Sequence, residues 1–421
     1  MFRKTTLTNG LRVMTEKLES TKAVTVLVLA GAGSRYEKRE INGISHFLEH
    51  MFFKGGERFK NAKEVSEAID AVGGEFNAFT GKEYAGYYVK AAKEKVETAF
   101  DVLSDMLLNA KFDKAEIEKE RGVILEEYNM YQDTPMYQIG WNFESLVFGD
   151  QPLGWDEVGT KELIKGVTHE DFVKYKNELY QPNNIVIAVC GNIAHNEAVE
   201  LVEKYFTLAD GKRAYEFKEF AAPKKPKKIY LKNKTTEQVH LACGFEGLCE
   251  TDQDHWVLKV LAAILGGNMS SRMFLNVREA HGLAYYVRTN TDDYCDTGLI
   301  STTAGVDVNR VYMAVEKIVE QYKLIAEKDV GAAELAKAKS FLKGRMVLSL
   351  EDSEEFAHLL AKFELLHDDA KTPEEIMTAI DKVSAADVRR VASSLFTGDR
   401  LRLAVIGPYS DEGEFEKAMR W

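Results

Sequence analysis

Three features of the 421-residue sequence predict an α+β fold built as two homologous α/β-roll units, each a mixed, largely antiparallel sheet with helices packed on it. The first is internal repetition. Ile187-Ala188-Val189-Cys190-Gly191 is matched by Leu403-Ala404-Val405-Ile406-Gly407, and the helix start Val167-Thr168-His169-Glu170-Asp171 by Val383-Ser384-Ala385-Ala386-Asp387, both at an offset of 216. The second is alternation of short strand-like runs with stretches of helical periodicity. The third is a shift of composition over 210–229, where Ala222-Pro223-Lys224-Lys225-Pro226-Lys227-Lys228 has two prolines and few apolar side chains. The expected organisation is a first unit over 1–209, a linker over 210–229 and a second unit over 230–421.

In chain order, Leu11-Arg12-Val13-Met14 and Val24-Thr25-Val26-Leu27-Val28-Leu29-Ala30 read as strands. The second ends in Gly31-Ala32-Gly33-Ser34-Arg35, a turn that delivers the chain to a helix around His46. A helix over 62–72 closes at Gly73-Gly74. Residues 75–80 and 83–90 then read as two strands joined by a Gly-containing turn. A helix over 93–109 follows, and Asp113-Lys114-Ala115-Glu116 opens another, running to about residue 131. Asp133-Thr134-Pro135 and Gln151-Pro152-Leu153-Gly154 punctuate the next region, Thr168 caps a helix, and residues 184–192 read as a buried strand.

The chemistry concentrates in Asn42-Gly43-Ile44-Ser45-His46-Phe47-Leu48-Glu49-His50-Met51-Phe52-Phe53. Ile44, Phe47, Leu48, Met51 and Phe52 recur at helical spacing as a buried stripe, with Asn42 as the expected N-cap, while His46, Glu49 and His50 share another face. Histidines one turn apart can grip one Zn²⁺ at about 2.0–2.1 Å. Glu49 then flanks the open metal position. Nine histidines would place two at this spacing by chance in roughly a fifth of such chains, so the pair needs a third ligand. Glu120 and Glu127, seven apart, project from one face of the helix begun at Asp113, with Glu126 about 100° away. By register Glu127 is the better third ligand, with Glu126 and Glu120 next in line, and Glu120 stands behind it as a carboxylate able to hold a histidine N–H. Glu116, Glu118 and Glu126 read as a solvated face, and His169 and His195 receive no role.

Composition bounds the function classes. A net charge of −12 opposes a nucleic-acid partner, and the linker lysines read as solvated. No apolar run is long enough for a membrane span and the N-terminus lacks a signal-like core, so a cytoplasmic protein with no membrane partner is expected. Cys190, Cys243, Cys249 and Cys295 show no CxxC spacing and are expected to be reduced thiols.

His46-x-x-Glu49-His50, followed after 76 intervening residues by Glu127 in Glu120-Arg121-Gly122-Val123-Ile124-Leu125-Glu126-Glu127, resembles the inverted zinc motif of the pitrilysin, insulinase and mitochondrial processing peptidase family. The similarity runs over essentially the full length. It implies a zinc endopeptidase with one Zn²⁺ per chain held by His46, His50 and Glu127. Their fourth position is left for water, and Glu49 acts as the general base. The second half has apolar Val257, Val260 and Leu261 opposite His46, Glu49 and His50, so it is expected to lack the metal. It keeps Arg278-Glu279-Ala280-His281-Gly282-Leu283-Ala284-Tyr285-Tyr286. In the family resembled, such an arginine and tyrosine bind the peptide and its carbonyl oxygen, which implies this role for Arg278 and Tyr285. The resemblance further implies strand addition of the substrate at Asn77-Ala78-Phe79, a chamber that selects short or unfolded peptides, and a homodimer. The alternative is a non-catalytic scaffold or processing-partner subunit. Such chains lose ligand or base residues, and none of His46, Glu49, His50 or Glu127 is missing.

Overall fold

The structure, a computed structural model, describes residues 2–421. Its strands are β1 (Arg3–Thr6), β2 (Arg12–Lys17), β3 (Ala23–Ala30), β4 (Glu75–Thr80), β5 (Ala85–Ala92), β6 (Ile185–Gly191), β7 (Ile229–Asn233), β8 (Gln238–Glu246), β9 (Ala284–Asp293), β10 (Gly298–Asp307) and β11 (Arg402–Gly407). They form a six-stranded sheet in the order β1-β2-β6-β3-β5-β4 and a five-stranded sheet in the order β7-β11-β8-β10-β9. The duplication is visible in the pairing. β2 runs parallel to β6 as β7 does to β11, and every other neighbour in both sheets is antiparallel. The two matched helix starts carry the same capping box, Thr168 with Asp171 and Ser384 with Asp387.

The compact units depart from the contiguous division at 1–209 and 230–421. One unit comprises residues 1–129, 156–218 and 347–373; the other comprises 130–155, 219–346 and 374–421. In the first, β3 and β6 are buried along their whole length except for Ala23. Their near-continuous apolar runs follow from covering both faces. Leu27, Leu29, Val186 and Ala188 face the helix Ser353–His367 through Ala357, Leu360 and Ala361. The alternate residues, such as Val26 and Val28, point to the opposite face. Arg12 holds the end of that helix, donating to the Glu364 carbonyl at 2.9 Å and pairing with Asp368 at 2.5 Å. In the second unit, Ile139, Phe143 and Val147 of the helix Pro135–Phe148 pack on Ala242, Ala404 and Ile406. Each sheet thus recruits a helix from the other half of the sequence, because its apolar face needs cover that its own half does not supply.

Residues 210–228 of the expected linker carry no regular element, its last residue opens β7, and it is held by both units taken separately. Arg213 and Phe217 contact Asn184 and Arg35 in the first; the Phe220 and Ala221 amides bond Asp296 and Gln151 in the second. No helix among the described residues is long and apolar enough to cross a membrane. None of the four cysteines is in a disulfide; burial pushes the Cys190 and Cys243 thiols up to about 12, as inert core groups.

Candidate metal centre

The helix Ile44–Phe52 buries the predicted stripe of Ile44, Phe47, Leu48, Met51 and Phe52. Phe47 lies edge-on to Phe172 at 5.0 Å, and Phe52 to Tyr87 at 5.2 Å. Asn42 is not the N-cap. Gly43 takes that position with φ 100, a left-handed conformation, and a Cβ there would lie 2.4 Å from the Val158 carbonyl oxygen. The free helix N–H groups are instead satisfied from outside the helix. The buried Glu37 carboxylate accepts from the Gly43 and Ser45 amides and from Asn42 Nδ2, each at 2.8 Å. Burial pushes Glu37 up to about 7, against the pull of those three donors.

Glu127 stands on the helix Lys114–Asp133. Arg121 anchors that helix, donating to the Val167 carbonyl at 2.9 Å with its guanidinium 5.6 Å from the Phe47 ring centre. Nε2 of His46 and of His50 lie 3.6 and 3.5 Å from Glu127 Oε2. One ligand atom from each of the three lies within 4.8 Å of the others. A tetrahedral centre with bonds of about 2.0–2.2 Å needs ligand separations of roughly 3.3–3.6 Å, so the donor set fits Zn²⁺. Two further observations favour a metal. His50 Nδ1 lies 2.9 Å from Glu120 Oε1, which keeps the proton on Nδ1 and the Nε2 lone pair toward Glu127. His46 Nδ1 is buried with no hydrogen-bond partner, leaving Nε2 as its interacting nitrogen. Burial disfavours the His46 cation, but Glu127, Glu49 and Glu157 together raise its pKa.

Glu120 is buried, which raises its pKa, yet His50 and Lys54 together hold it below the usual range. Glu118 and Glu126 are exposed, in keeping with a solvated face. Glu49 accepts a hydrogen bond from Thr80 Oγ1 at 2.6 Å. Thr80 and Lys54 are the site residues that the motif reading missed. Lys54 follows His50 by one helical turn, a spacing that could have flagged it; Thr80 carried no local signal. Neither His169 nor His195 joins the three donors; His195 bridges the Thr5 and Thr15 hydroxyls at 2.8 Å each.

β4 is an edge strand, and it carries the predicted substrate residues. Asn77 is exposed and its Oδ1 accepts from the Ala78 amide at 2.9 Å. The Phe79 ring is packed: a Cβ on Gly86 would lie 2.2 Å from it, and His358 stacks edge-on at 5.3 Å. In the second unit Arg278 sits in a π-helix, Phe274–Ala280, with its guanidinium 4.7 Å from the Phe274 ring centre. Tyr285 is 75% exposed on β9, at the other sheet's edge. Gly305 pairs with Tyr286 and Val306 with Ala284, so Tyr285 is the extra residue of a β-bulge.

Residues 12–155 match the family described as Insulinase (Peptidase family M16), and residues 166–342 the one described as Peptidase M16 inactive domain. The chain belongs to peptidase family M16. Among M16 relatives, the uncharacterized zinc protease YmxG of Bacillus subtilis is 38% identical over 411 residues, covering 97% of this chain and 98% of the relative. An uncharacterized zinc protease of Streptomyces coelicolor is 36% identical over 421 residues, covering 97% and 90%. The crystal structure of a protease from Helicobacter pylori shares the fold with a TM-score of 0.91 at 24% identity, covering 97% of this chain and 99% of that one. A Pseudomonas fluorescens structure described as a peptidase M16 inactive domain does so with 0.89 at 16%, covering 97% and 98%. The M16 relatives' names imply zinc, and all three candidate donors fall within residues 12–155.

Proposed function

We propose that the chain is a zinc-dependent endopeptidase acting on short or unfolded peptides. The observation that carries this reading is the convergence of His46 Nε2, His50 Nε2 and Glu127 Oε2, with Glu49 between the histidines on the same helix. Held by those donors, one Zn²⁺ per chain supplies Lewis acidity, lowering the pKa of water toward about 7 and polarising a carbonyl. Glu49 takes the proton of the attacking water and delivers it to the leaving amine. Glu120 holds the His50 ring and its tautomer.

The free edge of β4 supports peptide pairing along Asn77-Ala78-Phe79 through the main chain, with Phe79 contributing backbone and not its packed ring. Roles for Arg278 and Tyr285 in binding the peptide and its carbonyl oxygen rest on the family resemblance, supported by the π-turn and the bulge that present them. Selection of short or unfolded chains by enclosure, and a homodimeric assembly, rest on that resemblance alone.

One finding favours a second reading, a non-catalytic partner subunit: residues 166–342 match a domain described as inactive. That description covers the half without His46, Glu49, His50 and Glu127, so it leaves the catalytic reading in place.

Metal content and cleavage of a quenched-fluorescence peptide library test the proposal together. Wild type is expected to hold one zinc and cleave. Glu49→Gln is expected to keep the zinc and turn over about 10²–10⁴-fold more slowly. Wild-type turnover in Glu49→Gln would remove Glu49 as the base.

A further inference from the structure

We propose that Thr80 is a positioning residue that orients Glu49, an inference that rests on the peptidase reading above. The Thr80 hydroxyl donates to Glu49 Oε2 at 2.6 Å, in the range of a charge-assisted O–H···O⁻ bond. Glu49 stands on the metal helix and Thr80 on a different element, the last residue of β4. The carboxylate of a glutamate hangs on three rotatable bonds, and one short bond to a fixed donor selects among its rotamers. With Oε2 engaged, Oε1 is the oxygen that receives the proton from water.

Thr80 can serve as a fixed donor because the hairpin that ends in it is held from several sides. Its backbone pairs with Ala85, and the turn between them closes through the Gly81 amide on the Tyr84 carbonyl at 2.9 Å. The Ser34 and Arg35 amides then bond the Gly81 and Lys82 carbonyls at 3.1 and 2.8 Å. A Cβ on Gly33 would lie 2.2 Å from the Lys82 carbonyl oxygen, so this close approach of the two turns requires glycine. The buried pair of Arg35 and Glu83, 2.6 Å apart, locks the same two segments together. The turn at residues 31–35, which the sequence offered only as a connection, is thus the buttress behind the Thr80 hydroxyl. Threonine suits the position because its β-branch favours a strand and restricts χ1, aiming the hydroxyl along one direction.

Thr80→Val and Thr80→Ser in the full zinc-loaded chain separate the hydroxyl from the shape. Thr80→Val is expected to lower kcat about 10–100-fold with KM within about twofold, and to leave zinc content and Tm unchanged. Thr80→Ser is expected to recover kcat to within about threefold of wild type, since the donor returns. Wild-type kcat in Thr80→Val overturns the proposal, as does Thr80→Ser failing like valine. Loss of zinc or of Tm alongside kcat would assign Thr80 to the fold and overturn it too. A crystal structure of the Thr80→Val protein reads the same point without turnover: the Glu49 carboxylate is expected to leave its wild-type rotamer, and an unmoved carboxylate overturns the inference. Should wild type cleave no peptide, the endopeptidase reading fails while that crystallographic comparison still decides the role of Thr80.

Discussion

His50 Nδ1 and Glu120 Oε1 lie 2.9 Å apart, while the other oxygen of Glu120 takes the Lys54 ammonium. The carboxylate thus spans a histidine of the donor set and a lysine one turn further on. It fixes the ring and sets its tautomer. Glu120→Ala is expected to weaken zinc about 10–100-fold, read by competition against a chelator of known affinity. Glu120→Gln, which can still accept from Nδ1–H, is expected to fall between the two. Unaltered zinc affinity in Glu120→Ala would remove Glu120 from the support of the site.

Glu37 makes the stability of the first unit depend on pH near neutrality. Burial pushes its carboxyl from 4.5 up to about 7. The folded chain therefore keeps a proton in a range where the unfolded chain has released it. The stabilisation this provides is present in full below pH 4.5 and is lost as the pH rises through about 7, on the order of 3 kcal/mol at most. Glu37→Gln keeps an accepting oxygen for the helix N–H groups but does not titrate. Its Tm relative to wild type is expected to rise between pH 4.5 and about 7 and to level off above. A difference that stays flat across that window would show that Glu37 has an ordinary pKa.

Leu360 is fully buried under the first sheet although it belongs to the second half of the sequence. Leu360→Ala removes side-chain contacts from a packed layer and is expected to destabilise the first unit by about 2–5 kcal/mol. Amide exchange identifies where. Protection is expected to fall in β3 and β6, which this helix covers, and to hold in β8 and β10. The opposite pattern would place the helix against the second sheet.

Much of the fold was legible because it is written in local patterns. The β3 run of apolar residues, the stripe on the His46 helix and the capping residues Thr168 and Ser384 each follow from short-range preference and periodicity. The duplication was legible because strand and cap recur at a constant offset. Asn42 was misread as a cap since a Asn before a helix is the ordinary solution, while here a distant carboxylate, Glu37, takes over the free amides. The compact units cut across the contiguous division of the sequence for a related reason. Nothing local in Ser353–His367 or Pro135–Phe148 says which sheet its apolar face will cover.

The sequence by itself determined that His46, Glu49 and His50 share one helix face and that Glu120 and Glu127 share a face of another, because a helix converts spacing directly into direction. Tertiary structure alone decided what surrounds them. It brought Glu127 to 3.5 Å from His50, placed Glu120 behind the imidazole and delivered the Thr80 hydroxyl to Glu49 from a strand edge. It also set Tyr285 on a bulge. These contacts join residues distant in the chain, and their geometry depends on how sheets and helices pack, which no local periodicity records.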